Sequence, residues 1–344
     1  MNHHDNAGQN NSLHYLHTGQ ISCHDADGNI IPCAGSSQDA EFHTGQPWPQ
    51  PRFQLDGEIV QDKLTGLIWP CNANLADFPL NWQEALDFVA ALNTHGELGF
   101  NDWRLPNRRE LRSLMSHQTR RPALPDKHPF HNVFSHWYWS STSCAGYPDH
   151  AWYVNLDGAR MFYGGKDQAF MVWPVRGKNN RLPRTGQNQC YNTAGHIIPC
   201  DNSGQDGEYT QGIKWPQPRF EQNSLGVVDH LTGLLWMQHA NLTNQVLRWE
   251  QALARIAELN RKETSRHWRL PNINELESLV DASQWNPALP ANHPFNDVQD
   301  IYWSSTTSLY EPDWAWALYL NKGAVGVGQK SFARFHVWPV TDAD

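Results

Sequence analysis

The amino-acid sequence predicts an α+β protein built from two tandem homologous domains, each with two short helices, antiparallel strands and long disulfide-stapled loops. Three observations support this prediction: an internal repeat, helical patterns within each repeat, and a hairpin pattern that follows them. The segment Trp-Pro-Gln-Pro-Arg-Phe stands at 48–53 and again at 215–220, and equivalent residues lie 164 to 167 positions apart. We therefore expect copy 1 at 18–177, a linker at 178–184 and copy 2 at 185–340.

The first helix of each copy is predicted from apolar residues at helical spacing. In copy 1 the stripe follows Trp82, and in copy 2 it follows Trp249. Apolar residues at i, i+1, i+4 and i+7 form one face of a helix that packs on a core. The two stripes are Ala85, Leu86, Val89 and Leu92, and Ala252, Leu253, Ile256 and Leu259.

A second, short helix is predicted after the Trp-Arg-Leu-Pro-Asn segment of each copy. Asn107 is suited to cap the first amide groups, while Glu110 reaches back from the third helical position. Asn272 and Glu275 repeat this pair in copy 2. Both copies are therefore expected to start this helix at the asparagine.

A β-hairpin is predicted downstream of the helices. Residues 151–156 favour a strand, and the Asp157-Gly158 dipeptide after them is typical of a tight turn. Copy 2 has the same pattern around Gly323. Antiparallel strands are therefore expected in each copy.

Four of the six cysteines are predicted to form two local disulfides. Cys23 and Cys33 recur at the same spacing as Cys190 and Cys200, so each pair is expected to close a loop. A zinc site is disfavoured because His24, beside the first cysteine, is tyrosine in copy 2. Stable disulfides indicate an exported protein.

A third disulfide is predicted between Cys71 and Cys144. These residues align with Gln238 and Ser308, so copy 2 lacks both cysteines together, as expected for partners in one bond. The alternative is a pair of reduced, buried cysteines.

Composition limits the class of protein. The net charge of −9 argues against bulk nucleic-acid binding. No stretch approaches the roughly 18 apolar residues of a membrane span, and Met1–Gln20 lack the apolar core of a signal peptide. We interpret the sequence as a mature or engineered form of a protein that is extracellular, on the cell surface or periplasmic.

Several ordered motifs resemble the Lcl C-terminal domain family, named for the collagen-like adhesin of Legionella. The matching motifs are Asp62-x-x-Thr65-Gly-Leu-x-Trp69, Asp102-Trp-Arg-Leu-Pro106, Tyr138-Trp-Ser-Ser-Thr142, Lys166 and Val172-Trp-Pro-Val. The resemblance implies a secreted or cell-surface bacterial module, distantly similar to the C-type-lectin-like fold. The module of the founding adhesin is a trimer that binds sulfated glycosaminoglycans, and this is the oligomer and the ligand that the resemblance implies.

The tryptophans of these motifs are predicted to be scaffold rather than site, because large rings fill cores and both copies carry them. They are Trp103, Trp139, Trp268 and Trp303. Arg104 and Arg269 are expected to bond loop carbonyls or Asp62 and Asp229, with an anion clamp as the alternative.

The ligand-binding residues are predicted from a basic cluster that copy 2 lacks. On a helix that starts after Asn107, two arginines four residues apart share a face and are suited to hold sulfate or carboxylate groups. The alternative is a solvated helix face with balanced charges. The candidates are Arg104, Arg108, Arg109, Arg112, Arg120, Arg121 and Lys127, with Tyr147, Trp152 and Tyr153 for stacking on sugar rings.

No cofactor is predicted. Asp25-Ala-Asp27-Gly-Asn29 has the pattern of the beginning of a calcium loop, but Ser36 stands where an acidic ligand would complete it. A disulfide-closed turn explains the segment better than calcium does.

The sequence therefore favours a noncatalytic, adhesin-like binding module for extracellular polysaccharide, anionic polymers included, or for another extracellular polymer. The alternative is a self-associating structural subunit of a cell-surface appendage. A formylglycine-generating-enzyme-like oxidase is less favoured, because it needs a reactive cysteine pair and all six cysteines are expected to form disulfides; a free thiol at Cys71 or Cys144 would favour it again.

Overall fold

The structure is a computed structural model that describes residues 15–263 and 266–343. Residues 1–14, in which the sequence predicts no signal-peptide core, lie outside the described residues. Within the described ranges, no helix is both long enough and apolar enough to cross a membrane.

Copy 1 contains three α-helices and eight strands, with a 3₁₀ turn at Glu97–Gly99. The helices are α1 Asp39–Phe42, α2 Trp82–His95 and α3 Arg108–Ser113. The strands are β1 Cys23–His24, β2 Ile30–Ile31, β3 Phe53–Asp56, β4 Ile59–Asp62, β5 Ile68–Pro70, β6 Trp137–Ser143, β7 His150–Asn155 and β8 Met161–Gly165.

Copy 2 repeats this order of helices and strands within the residues described and adds one strand, β17, at its end. Its helices are α4 Asp206–Tyr209, α5 Trp249–Lys262 and α6 Ile273–Ser278. Its strands are β9 Cys190–Tyr191, β10 Ile197–Ile198, β11 Phe220–Gln222, β12 Val227–Asp229, β13 Leu234–Trp236, β14 Ile301–Thr307, β15 Trp314–Tyr319, β16 Ala324–Gln329 and β17 Val340–Asp342.

The predicted helices are confirmed, and their caps explain where they begin. Asn107 accepts hydrogen bonds from the backbone of α3 while Glu110 bonds back to it, and Asn272 and Glu275 do the same in α6. The apolar stripe of α2 is buried, and the helix ends at Gly96, whose φ of 64° is favoured by glycine. The four-residue helices α1 and α4 were not predicted.

The predicted hairpin is also confirmed, since β7 and β8 pair antiparallel around Gly158. It belongs to one sheet that both copies share, in the order β14-β15-β16-β8-β7-β6. The copies join where Met161 pairs with Val325, its own equivalent in copy 2. Pairing of equivalent residues means that the two copies are related by an approximate twofold axis between β8 and β16.

The amino-terminal segment of each copy packs against the other copy. We call residues 15–46 and 182–213 the exchanged segments. In the structure α1 contacts β14, and α4 contacts β6. The boundary between the copies in the sequence is therefore not a boundary in packing.

The core is rich in tryptophan, and the scaffold role predicted for the four motif tryptophans is confirmed. Their neighbours in the core include most of the chain's other tryptophans. The fully buried tryptophans are Trp69, Trp82, Trp103, Trp139, Trp152, Trp173, Trp236, Trp249, Trp268, Trp303, Trp316 and Trp338.

Two of the three predicted disulfides are confirmed, Cys23–Cys33 and Cys190–Cys200. The third prediction is wrong. Cys71 and Cys144 are both free and buried.

A different physical reason accounts for the loss of Cys71 in copy 2. Cys71 Sγ bonds the carbonyl of Pro129 at 3.2 Å, and Gln238 Nε2 bonds the carbonyl of the equivalent Pro294 at 3.4 Å. Each side chain thus donates a hydrogen bond to the same loop carbonyl. A thiol or an amide can do so without a covalent partner.

Candidate functional site

The exchanged segment of copy 2 is fastened to copy 1 by buried hydrogen bonds. Thr142 Oγ1 donates to Asp206 Oδ2 at 2.7 Å. Lys166 Nζ donates to the carbonyls of Tyr191 and Asn192, each at 3.2 Å. Because Lys166 is buried and lies 4.0 Å from the centre of the Trp82 ring, its ammonium group is held on the disulfide loop.

The exchanged segment of copy 1 is fastened to copy 2 by equivalent bonds. Thr306 Oγ1 donates to Asp39 Oδ2 at 2.7 Å. Lys330 Nζ donates to the carbonyls of His24 and Asp25, each at 3.1 Å. The exchange is therefore reciprocal, and it uses the same chemistry at both ends.

Burial perturbs the four titratable groups of these contacts. Loss of solvation raises the pKa of Asp39 to about 7 and that of Asp206 to about 6. The same cause lowers the pKa of Lys166 and of Lys330 to about 7 each. Although perturbed groups of this kind are common in active sites, here each is held by the contact between the copies.

The arginines of α3 do not form the predicted anion site. Arg108 is only 2% exposed, lies 3.9 Å from the Trp152 ring and donates to the carbonyl of Gly323 in copy 2. Burial lowers its pKa to about 9. Arg109 is partly buried and donates to the carbonyl of Val280 at 2.7 Å. These side chains bind the backbone of copy 2.

Arg112 is buried as well. Its Nη1 donates to the carbonyl of Ala159 at 2.7 Å, and its Nε lies 3.1 Å from Glu277 of copy 2. The prediction that Arg108 and Arg112 face an outside ligand is therefore wrong, because the contact between the copies covers the helix face that they share.

The prediction that Arg104 offers its charge to an anionic ligand is wrong too, because the side chain is buried and paired. It pairs with Glu110 at 2.5 Å and bonds the carbonyl of Gly177 at 3.3 Å. The bond to the Gly177 carbonyl agrees with the prediction of a loop carbonyl. The carboxylate partner is Glu110 and not the predicted Asp62. Asp62 is instead held by Arg52 at 2.8 Å.

Three members of the predicted basic cluster are exposed: Arg120, Arg121 and Lys127. Arg121 pairs with Asp157 at 2.8 Å and donates to the hydroxyl of Tyr310, so its charge is partly neutralised. The structure does not gather the seven predicted cations into one surface.

The three predicted stacking residues differ in exposure. Trp152 is 2% exposed, so the prediction that it stacks on sugars is wrong. Tyr153 is partly buried against Trp137, with ring centres 4.5 Å apart. Tyr147 is 50% exposed and is accessible to a ligand.

A cleft of about 590 Å³ lies between α2 of copy 1 and the exchanged segment of copy 2. Its volume is within the range typical of ligand sites. We call it the α2 cleft. One wall is helical, and the opposite wall is the end of the Cys190–Cys200 loop with α4. It is lined by Gln83, Leu86, Asp87, Val89, Ala90, Asn93, Trp103, Arg104, Leu105, Ile198, Pro199, Asp201, Asn202, Ser203, Gly204, Gln205, Glu208 and Tyr209.

The lining combines carboxylates and amides with apolar groups. Asp87 and Asp201 are exposed on opposite walls, and Asp87 accepts a hydrogen bond from Gln83 at 3.0 Å. Glu208 accepts from the backbone of Asn202 at 2.9 Å, so it holds the loop in place. The one lining arginine is neutralised by its buried ion pair. The α2 cleft is therefore negative and has many hydrogen-bonding groups.

Four of the polar positions that line the α2 cleft differ between the copies, whereas others are the same in both, as in Glu208 and Glu41. The scaffold positions agree, as in Trp103 and Trp268. The polar residues Asp87, Asp201, Asn202 and Tyr209 correspond to Ala254, Ala34, Gly35 and Phe42. No pattern in the sequence marked these residues as a site. A comparison of exposed positions between the copies would have found the differences, but not that the two walls face each other.

In the segment with a calcium-like pattern, the Asp25 carboxylate is bonded to the loop's own backbone. Asp25 Oδ1 accepts from the backbone of Asp27 and Asn29, at 3.0 and 2.8 Å. Across the described parts of the chain, no three His, Cys, Asp or Glu side chains are grouped to hold a metal ion.

The free cysteines do not fit a reactive pair. Both are buried, and burial raises the pKa of Cys144 to about 11. The thiolate is the nucleophile, so a thiol held protonated is unreactive at neutral pH.

The match to a protein family agrees with the motif resemblance. The sequence model of the Lcl C-terminal domain family matches residues 58–176 and 226–341, more than half of the chain. Both exchanged segments lie outside the matched residues. A comparison with curated proteins finds no match.

Proposed function

Because the chain belongs to the Lcl C-terminal domain family, we propose that it is a noncatalytic, exported bacterial surface module that binds extracellular polysaccharide in the α2 cleft. The distant similarity to the C-type-lectin-like fold is part of this proposal. Two disulfides are typical of proteins that work in an oxidising compartment, which supports export.

The difference between the two copies carries the proposal. At equivalent exposed positions, copy 1 and the exchanged segment of copy 2 present Asp87 and Asp201, whereas copy 2 and the exchanged segment of copy 1 present Ala254 and Ala34. Shared scaffold residues explain why the copies fold alike, but they do not explain why these two exposed carboxylates are present on one side only. A ligand in the α2 cleft does.

The chemistry of the α2 cleft fits a sugar polymer. Carboxylate and amide groups pair with sugar hydroxyls, which both donate and accept hydrogen bonds, while Leu86, Ile198 and Tyr209 offer apolar surface. Asp87 and Asp201 repel sulfate and carboxylate groups. The proposed ligand is therefore an uncharged polysaccharide rather than a sulfated one.

The test is binding of the non-reduced protein to dextran, linear β-glucan and galactomannan, with dextran sulfate and heparin beside them. We expect binding to an uncharged polymer that changes little with salt, because no ion pair to the ligand is lost. The D87A/D201A variant should bind at least about tenfold more weakly, the effect of losing roughly 1.4 kcal/mol.

A matched control is D56A/D126A, which removes two exposed carboxylates that do not line the cleft. It should bind as wild type does. Equal loss in both variants would refute the site. Binding to none of the polymers would refute polysaccharide recognition and favour the structural-subunit alternative.

A further inference from the structure

An aromatic cluster lies on the surface of copy 1, outside the α2 cleft. The ring of Tyr147 is stacked with Tyr163, with centres 5.9 Å apart, and meets Trp285 edge-on at 5.2 Å. His150 adds a fourth ring, 5.7 Å from Tyr147. We call these four residues the aromatic cluster. Its half-exposed member, Tyr147, makes it accessible from solvent.

The cluster exists because the two copies meet. Trp285 comes from copy 2 and lies over Gly146, where an added Cβ would stand 2.1 Å from the indole ring. Glycine is therefore required beneath the tryptophan. At the other end of the contact, the positions equivalent to the cluster hold Glu311, Val327, Arg120 and Trp314. No second cluster forms there.

The cluster adjoins the α2 cleft through the Cys190–Cys200 loop. The tip of this loop lies on copy 1, since a Cβ added to Gly195 would be 2.9 Å from the backbone nitrogen of Asp149. From that tip the chain passes through the exposed His196 and Ile197 and reaches Ile198, which lines the cleft. One disulfide-closed loop therefore has the cluster at its tip and the cleft at its end.

We propose that the aromatic cluster is a second sugar-binding subsite that continues the α2 cleft, so that the protein binds an internal stretch of a linear, uncharged polysaccharide. This inference rests on the proposed function of the cleft. An exposed tyrosine ring covers the apolar face of a sugar ring, and the neighbouring Asp149 and His150 supply hydrogen-bonding groups for its hydroxyls. A chain that occupies both subsites binds more tightly than one that occupies the cleft alone.

The test compares short and long fragments of whichever uncharged polymer binds best among dextran, linear β-glucan and galactomannan. Wild type should bind long fragments more tightly than short ones. Y147A should weaken binding of long fragments by about tenfold or more and leave short fragments unchanged, because only long chains reach the cluster. D201A should weaken both.

The control is F332A, which removes an exposed aromatic ring of copy 2 that is not part of the cluster. It should bind both lengths as wild type does. If long fragments bind no better than short ones, or if Y147A binds them normally, the second subsite is refuted while the cleft stands. If neither length binds to wild type, the proposed function and the subsite are refuted together.

Discussion

Arg112 and Glu277 occupy equivalent positions in the two copies, and they pair with each other across the approximate twofold axis at 3.1 Å. A residue near such an axis faces its own equivalent. Identical charges there would repel each other in a buried setting, so the copies have to differ. The difference between α3 and α6 at this position is therefore a property of the contact between the copies and not of a ligand site.

Reversing one charge of this pair should destabilise the protein. R112E places two buried carboxylates together, and we expect it to lower the free energy of unfolding by roughly 3–5 kcal/mol. Denaturant unfolding measures the change. The double variant R112E/E277R should recover a large part of the loss, and failure to recover any would show that the ion pair itself contributes nothing.

The two buried carboxyls of the exchanged segments should make stability depend on pH. The folded pKa values of Asp39 and Asp206, about 7 and about 6, lie above the unfolded value near 3.9. These groups therefore stabilise the protein fully below about pH 4, and the contribution is lost progressively between about pH 4 and the folded pKa values of about 6 and about 7. Each carboxyl contributes at most about 1.4 kcal/mol per pH unit.

Unfolding measured from pH 4 to pH 8 in wild type and in D39N/D206N tests this dependence. Asparagine stays neutral, so wild type should lose stability relative to the variant as pH rises. Other titrating groups contribute equally to both proteins, so the difference between their free energies of unfolding depends on Asp39 and Asp206 alone. A constant difference across this range would contradict the prediction.

The buried lysines should act in a higher pH window and with the opposite sign. The folded pKa of Lys166 and of Lys330 is about 7, below the unfolded value near 10.4. Their burial therefore costs stability at and below pH 7, and this cost declines between pH 7 and pH 10. Stability should therefore rise between pH 7 and pH 10 in wild type, and this rise should be absent in K166M/K330M when both are measured by thermal unfolding. A rise of the same size in the variant would show that other groups cause it.

Opening the Cys190–Cys200 loop should affect both stability and binding. We expect C190S/C200S to lower the free energy of unfolding by roughly 2–4 kcal/mol, because the loop no longer restrains the unfolded chain. It should also weaken polysaccharide binding, since the end of this loop lines the α2 cleft. C23S/C33S is the matched control, with a similar loss of stability and normal binding. Equal binding by the two variants would show that the Cys190–Cys200 loop does not contribute to the binding site.

The free cysteines should be unreactive until the protein unfolds. Cys71 and Cys144 are both buried, so a thiol reagent such as Ellman's should not label the native, non-reduced protein. After denaturation without reductant, both thiols should react. Rapid labelling of the native protein would indicate an accessible thiol and would reopen the oxidase alternative.

Local patterns were enough to predict much of the fold. The apolar stripe of α2, the capping pair Asn107 and Glu110, and the hairpin around Gly158 all depend on neighbours within a few residues, so the sequence alone indicates them. The duplication added a second copy of each pattern. It also predicted the Cys23–Cys33 disulfide, because the same spacing occurs twice.

Local sequence patterns could not predict the candidate site. Asp87 and Asp201 belong to different copies, and they line one cleft only because the exchanged segment of copy 2 packs on copy 1. The arginine cluster was misinterpreted for the same reason. The spacing of Arg108 and Arg112 correctly predicts a shared helix face, but spacing does not tell whether solvent, a ligand or another part of the chain covers that face.

The sequence by itself therefore determined the repeated unit, with its helices, hairpins, tryptophan core and two disulfide loops, because each depends on interactions between residues close together or on repetition. Only the tertiary structure decided which surfaces are buried between the copies. It made Arg112 a partner of Glu277, left Cys71 and Cys144 unpaired, and placed Tyr147 beside Trp285. Those outcomes depend on how two folded units pack about an axis, and that packing is fixed by contacts between residues more than 100 positions apart.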